Sequence, residues 1–451
     1  MSKNSNQKIQ NHNEINIKSN DTIIKKQKKT KQNDDYNNEQ YSEVVLTQNW
    51  QYIQSNCDER WIFLTAMRDV TCGISRFTSF KDLRQFITVK GQLGIGVYAI
   101  VYDVEFRDPY KKSRVPYQFA LKLVQTTNRK KEHRAEIIQK ILRECQAFRL
   151  TNALVKMHIS CNFVLSPRNF FTKNADDLIQ TDNNENKNPM SYLCACILLE
   201  KETSTFKQYL QIGNNALAVE QIMHCIFQIF MGVVAMASHL KMVHNDLYFK
   251  NILYSKCKPV HMVYRFRGRN YFLRNCETII KISDFGIATS PTFLHSRHND
   301  MSHLVSKHLS INRLSDYDFS NHILDYDNVE PYARDVAVVL RSLSLTNGLH
   351  VDIQKWVQAS LFRLDMYCDE KKMMHSIGLI EYVSDIFSSQ FLYLNTRLYG
   401  NLFAVPSDIR DYANNIQYFD IDGNTVGHET IKATLLEMAS EDNNNYGGNI
   451  S

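Results

Sequence analysis

Near Glu200 the hydrophobic period of this chain changes, and that change limits the fold more than any other feature. Before it, apolar residues alternate over Thr88–Phe106 around a Gly-rich turn, then over Phe119–Val124, and again near 162–170 and 191–199. A period of two marks half-buried strands. The exception is 131–152, where Ile137, Ile138, Ile141, Leu142, Ala147, Phe148 and Leu150 recur at helical spacing. After Glu200 the pattern is helical over Phe206–Leu210 and Val219–Leu240, and mostly helical from Val329 to residue 440. Strands return between Asn251 and Asp284: Val260–Phe266 and Tyr271–Leu273 read as a hairpin turning at Gly268-Arg269-Asn270, and Thr278–Ser283 as one more strand. A small antiparallel sheet with one helix, followed by a larger, mainly helical part, predicts an α+β chain of two lobes. The length, 451 residues, is too great for one simple core and agrees with that division.

The flanks differ in composition. Residues 1–42 are rich in Asn, Lys, Gln and Asp and cannot bury enough apolar area to offset chain entropy, so disorder is expected. Residues 43–87 regain Trp50, Trp61, Ile62, Phe63 and Leu64 and are expected to form a helical extension. The sheet lobe is assigned to 88–200, the helical lobe to 201–440 and a frayed tail to 441–451. The loop Asn174–Pro189, rich in Asp and Asn, reads as a surface insertion. Net charge is +6, with five lysines in one run at Lys25, Lys26, Lys28, Lys29 and Lys31. Such a run is ordinarily a solvated tail; the alternative is a weak nucleic-acid or import-factor contact through Lys25–Lys31. Ten cysteines show no CxxC spacing, and Cys194 and Cys196 fall on one face of a strand. Reduced thiols and an intracellular, cytoplasmic or nuclear, location are expected. The start of the chain has no apolar signal core, and the run Cys225–Leu240 reads as a buried helix rather than a bilayer span. A monomer without membrane contact is expected.

Four polar segments carry chemistry. In Leu93-Gly94-Ile95-Gly96-Val97-Tyr98-Ala99-Ile100-Val101, alternate glycines let a strand-turn-strand backbone approach phosphates without side-chain collision. By itself this pattern also fits an ordinary hairpin turn. Lys122, in Ala120-Leu121-Lys122, alternates into an apolar strand, where an ammonium is costly unless paired. As a phosphate ligand it needs a carboxylate to hold it. Glu144 on the following helix is the candidate and Glu136 the alternative; either is otherwise a solvent-facing helix residue. In His244-Asn245-Asp246-Leu247-Tyr248-Phe249-Lys250-Asn251, an Asp and an Asn five apart on a loop can face one site, the first taking a hydroxyl proton and the second binding metal. Finally, Asp284-Phe285-Gly286 follows an apolar strand and offers a hard oxygen for Mg²⁺ bridging the phosphates of ATP.

In this order the four segments resemble the protein-kinase superfamily over residues 88–440. The resemblance implies ATP with Mg²⁺ or Mn²⁺ as cofactors and a protein as substrate. It implies that Gly94 and Gly96, flanked by Leu93 and Val101, cover the nucleotide, and that Lys122 and Glu144 pair to steady its α- and β-phosphates. It further implies that Glu200–Glu202 hydrogen-bonds adenine through backbone groups, with Leu199 guarding the back pocket. Asp246 corresponds to the catalytic base, Asn251 and Asp284 to the metal ligands, and Asp335 to the buried helix aspartate that anchors the catalytic loop.

Departures from the family pattern carry expectations of their own. The third glycine of the loop is Ala99, which implies a slightly stiffer loop. Asn245 replaces the arginine that pairs with a phosphorylated activation loop, so activity without that phosphorylation is expected. Tyr248 stands where Ser/Thr kinases carry lysine, while Lys250 places a cation where tyrosine kinases keep a basic residue and can reach the γ-phosphate. Ile287, after the glycine, implies a preference for threonine over serine, and the acceptor is read as Ser/Thr. There is no clear Ala-Pro-Glu after the activation segment, Glu330-Pro331 being a poor substitute. That gap and the hairpin before Asp284 are similar to haspin-like kinases and to the Ser/Thr kinases of large DNA viruses, the latter implying a virion or infected-cell setting. His295, His298, His303 and His308 read as a solvated loop rather than a metal site. Two rival readings remain: a small-molecule phosphotransferase of the aminoglycoside or choline type, and a pseudokinase scaffold.

Overall fold

The computed structural model describes residues 77–79, 83–84, 87–96, 99–106, 117–125, 131–173, 193–213, 219–292, 330–396, 402–403 and 416–420. The first sheet comprises β1 (Phe77–Ser79), β2 (Ile87–Ile95), β3 (Ala99–Phe106), β4 (Tyr117–Gln125), β5 (Arg168–Lys173) and β6 (Leu193–Glu200), in the order β1-β5-β6-β4-β3-β2. All neighbours are antiparallel except β1 with β5. The helix α1 (Lys131–Lys156) packs on one face. Period-two alternation sorts the side chains: Ala120 and Val124 with Ala195, Ile197 and Leu199 face the helix side. Phe119, Leu121 and Leu123 with Cys194, Cys196 and Leu198 form a smaller core on the other face. Both predicted cysteines are fully buried on that face.

The second part is built on α3 (Val219–Leu240), which is buried from Ile222 to its end. It is preceded by β7 (Ser204–Thr205) and α2 (Phe206–Gly213) and followed by a long hairpin, β8 (Ile252–Phe266) and β9 (Arg269–Ile282). Helices α4 (Pro331–Ser344), α5 (Val351–Asp369), α6 (Ser376–Ile386) and α7 (Ser389–Asn395) complete it, with β10 (Ile416–Asp420) added to β8. The aromatic centre is Phe227, Phe230, Trp356, Phe387 and Phe403, with Phe230 and Trp356 edge to face at 6.2 Å. The result is a two-lobed α+β fold.

Several expectations change. Within the stretch read as a helical extension, Phe77–Ser79 is a strand, because a parallel neighbour at the edge of β5 supplies its hydrogen bonds; residues 43–76 lie outside the described set, as do both terminal tails and Asn174–Pro189. The strand expected near 162–170 begins only at Arg168, since Asn162 and Val164 bond to Ile282 across the lobes. The hairpin spans Ile252–Ile282 and turns at Arg267-Gly268, both with positive φ (50° and 71°), the type I′ geometry that follows strand twist. Beyond Val329 the chain is not helical throughout: Ile416–Asp420 pairs in parallel with His261–Arg265. The apolar helix, by contrast, has the bounds its spacing predicts. Val219–Leu240 is long and apolar enough to cross a bilayer, yet its most apolar window is wholly buried within the fold.

Candidate active site

The site forms where β4, α1, the loop after α3 and the end of β9 meet. Lys122, on the helix-facing side of β4, places Nζ 2.6 Å from Glu144 Oε1 and 2.7 Å from Asp284 Oδ1. Glu144, the first candidate for this role, is in contact with Lys122; the side chain of Glu136, the alternative, lies outside the described residues. Burial alone would lower the Lys122 ammonium; the carboxylates of Asp284 and Glu144 outweigh it and hold the group above its ordinary range. Burial raises the Glu144 carboxyl to about 7, with Lys122 only partly opposing. Desolvation would also raise Asp284, but the Lys122 charge prevails and holds that carboxyl down at about 2. The Asp284 side chain stays 42% exposed, so one carboxylate faces outward while the other is sealed in. The backbone of Asp284 is left-handed (φ 66°), and Phe285 turns inward against Phe148 of α1, edge to face at 5.2 Å. That packing aims Asp284 at Lys122.

The loop after α3 is held from below. Asp335 of α4 accepts the backbone N–H groups of His244 (2.7 Å) and Asn245 (2.9 Å) through its two oxygens. Burial pushes its carboxyl up, and His244 and the two N–H bonds pull against this. His244 Nε2 donates to the Ser283 carbonyl at 2.9 Å, and Nδ1 accepts from the Asp246 N–H at 3.2 Å. One ring thus ties the loop to the residue before Asp284. Asn251 donates Nδ2 to the Asp246 carbonyl (2.7 Å) and to Asp246 Oδ2 (2.8 Å), which leaves its amide oxygen as a ligand atom. Its backbone carbonyl accepts from Ser283 N–H at 3.0 Å, so Asn251 and Asp284 sit at one end of the β8–β9 ladder. Lys250 Nζ is 3.8 Å from Asp246 Oδ2.

The glycine loop lies at the open end of β2 and β3. Val101 pairs with Gly94 on one side and with Lys122 on the other. A Cβ at Gly94 would meet nothing within 4 Å, so the fold itself does not demand glycine there. Leu93 is exposed. Gly96 donates its N–H to the Ala99 carbonyl at 2.7 Å and closes the turn.

The sequence reading missed two features. Glu200 and Glu202 do not point their carboxylates outward; both are bound to the buried Lys281. The signal was present, because Lys281 alternates with isoleucines as Lys122 alternates with apolar residues, and the same pairing argument applies. Asn245 also does more than lack a positive charge. At φ 64°, a conformation that asparagine tolerates, its Nδ2 donates to the Ile287 carbonyl (3.1 Å) and to Thr289 Oγ1 (3.0 Å). The histidines from His295 to His308 lie outside the described residues.

The oxygen donors fit magnesium. A carboxylate and an amide oxygen are hard ligands, few enough to leave places for phosphate oxygens and water. Among the described residues no three of His, Cys, Asp or Glu gather into a cage that would bind metal with protein groups alone.

The family match falls on part of this site. Residues 189–322 match the family described as protein tyrosine and serine/threonine kinase, a span that includes Asp246, Asn251 and Asp284 but not Lys122 or Glu144. A probable serine/threonine-protein kinase of Dictyostelium discoideum is 29% identical over 117 residues, covering 24% of this chain and 10% of that protein. The crystal structure of a kinase domain is 20% identical, covering 47% of this chain and 54% of that one, with a TM-score of 0.29. The chain therefore spans about a tenth of the curated relative and about half of the solved domain. Over residues 189–322, which carry Asp246, Asn251 and Asp284, this chain is therefore similar to the protein tyrosine and serine/threonine kinase family, and the fold brings the Lys122–Glu144 pair to those residues.

Proposed function

We propose that the chain is an ATP-dependent protein kinase that phosphorylates serine and threonine hydroxyls, threonine preferentially. The carrying observation is Lys122, within 2.6 Å of Glu144 and 2.7 Å of Asp284, in the same cleft as the Asp246–Asn251 pair. ATP with Mg²⁺ or Mn²⁺, when bound, supplies the phosphoryl group and the charge neutralisation. Asn251 and Asp284 would hold the metal, and Lys122, freed from Asp284 by it, would steady the phosphates. Gly94 and Gly96, with Leu93 and Val101, would enclose the nucleotide, and backbone groups of Glu200–Glu202 would read the adenine. Asp246 orients the acceptor hydroxyl and takes its proton as the oxygen gains the phosphoryl group and ADP leaves. Lys250, beside Asp246, offers a cation to the transferred group. Most of the acceleration then comes from positioning and charge neutralisation.

Two finer points belong to this reading. Asn245 bonds the catalytic loop directly to Ile287 and Thr289, which supports activity without a phosphorylated activation loop. The threonine preference rests on Ile287, buried just after Gly286. Transfer of labelled phosphate from ATP to a serine, threonine and tyrosine peptide library tests the proposal, with Asp284→Ala as control and a phosphatase-treated sample alongside. Labelling of threonine peptides by both wild-type samples, and none by the variant, is expected. Transfer to small alcohols alone would replace the reading with a small-molecule phosphotransferase, and no transfer by the wild type would leave a scaffold.

A further inference from the structure

Lys281 lies on β9, three residues before Asp284, with its side chain 4% exposed. Its Nζ stands 2.7 Å from Glu200 Oε1 and 2.9 Å from Glu202 Oε1. An ammonium this deep is tolerated only when paired, and here two carboxylates from one short segment supply the pairing. Each carboxylate has a second tie: Glu200 Oε2 accepts the Leu165 N–H at 3.2 Å, and Glu202 Oε2 accepts the Ser255 hydroxyl of β8. Burial, with the neighbouring Glu200, pushes the Glu202 carboxyl up against the pull of Lys281.

The surrounding backbone makes the cluster a link between distant parts of the cleft. Glu200 N–H donates to the Leu165 carbonyl at 2.8 Å, and Thr203 N–H to the Tyr254 carbonyl at 2.9 Å, so the connecting segment is tied at both ends. Lys201 points the other way, to Asp103 Oδ2 at 2.8 Å and Gln118 Oε1 at 3.3 Å in the first sheet. The segment alternates, with 200 and 202 toward Lys281 and 201 toward β3 and β4. In the β8–β9 ladder, Leu253 pairs with Lys281 and Ile252 with Ile282, which places Asn251 and Asp284 immediately beyond the cluster.

We propose that Lys281 is a positioning residue: through Glu200 and Glu202 it holds the segment 200–203 in fixed register with Asp284 and Asn251. The adenine end and the phosphate-metal end of the nucleotide site are thereby set at one spacing by a single buried ion cluster. This rests on the nucleotide-binding reading of the cleft.

The test separates a register device from a merely structural pair. Lys281→Met alone leaves two buried carboxylates facing each other, so the informative variant is Lys281→Met/Glu200→Gln/Glu202→Gln, whose cluster is neutral. Thermal melts, KM and kcat, and direct binding of ATP, adenosine and tripolyphosphate with Mg²⁺ are measured for it, for Lys281→Arg and for the wild type. The expected result is a cooperatively folded triple variant whose KM for ATP rises by about tenfold or more, with a smaller fall in kcat. Adenosine and tripolyphosphate, which each engage one end, should bind it within about threefold of wild type, while Lys281→Arg recovers most of the ATP affinity. A folded triple variant with wild-type KM for ATP would overturn the proposal. So would parallel loss of all three ligands, which would mean general damage to the cleft. If the wild type binds no ATP, the kinase reading itself fails, a result distinct from either.

Discussion

Lys122 pulls both of its carboxylate partners down, yet the two behave oppositely because at Glu144 burial outweighs that pull. Glu144 is sealed in, and burial raises its carboxyl from an ordinary 4.5 to about 7. Asp284, partly exposed and beside Lys122, falls from 3.8 to about 2. For stability the signs differ. The native state binds the Glu144 proton more tightly than the unfolded chain does, so this group costs stability as pH rises from 4.5 through about 7. Asp284 contributes stability above 3.8 that is lost as pH falls through about 2. For catalysis the consequence is a falling acid limb: kcat/KM should decline as pH drops below about 7, where Glu144 gains a proton and ceases to balance Lys122. A pH–rate profile of Glu144→Gln should show a lower plateau without that inflection; an unchanged limb would assign the titration elsewhere. Asp246→Asn, which keeps shape but cannot take a proton, should reduce phosphoryl transfer by about 10²–10⁴-fold while nucleotide binding persists. Single-turnover transfer and nucleotide titration on the same preparation check both halves.

The β8–β9 hairpin is flanked by Asn251 and Asp284, and the edge of β9 away from β8 is bonded in part by side chains. Where β9 has no second strand among the described residues, buried amide side chains meet its backbone: Gln228 Nε2 donates to the Thr278 carbonyl (3.0 Å) and its oxygen accepts from Ile280 N–H (3.0 Å). Asn162 Nδ2 donates to the Ile280 carbonyl at 2.8 Å, and its oxygen accepts from Tyr264 OH at 3.0 Å. Buried backbone groups need such partners, and these fasten β9 to α3 and to the loop after α1. The hairpin's far end is less well suited to its shape. Arg267 holds φ 50° where a type I′ turn favours asparagine or glycine. Arg267→Asn should stabilise the protein by about 1 kcal/mol, read as a higher denaturant midpoint with unchanged slope. No gain would mean that interactions of the arginine offset the backbone strain.

Among the described residues, the polar links between the two lobes near the cleft include Lys122 with Asp284, Asn162 with Ile280 and Ile282, and Glu200 with Lys281. A ligand that spans the lobes binds only the folded chain and so adds to its stability by mass action. Mg²⁺-ATP at about one hundred times its dissociation constant should contribute about 2.7 kcal/mol, seen as a rise in melting temperature. In Asp284→Ala the metal-dependent share of that rise should vanish, and a shift equal to wild type would place the metal elsewhere.

Much of this architecture was legible from local pattern. Period-two alternation placed β2, β3, β4 and β6, and helical spacing placed α1 and α3, because side-chain direction within an element depends only on near neighbours. Lys122 stood out because an ammonium on an apolar strand requires a partner, and the polar segments marked where the cleft would be. Which partner answers which charge was not legible. Lys122 and Asp284 are 162 positions apart, and Lys281 lies 81 from Glu200, so their meeting depends on how whole elements pack. The same holds for β10, whose strand form comes from the edge of β8, and for Asn245, whose bonds to Ile287 and Thr289 exist only once the chain has turned back past Asp284. Local chemistry named the groups that needed partners; long-range packing chose the partners, because burial and pairing energies are settled only when distant segments share one interior.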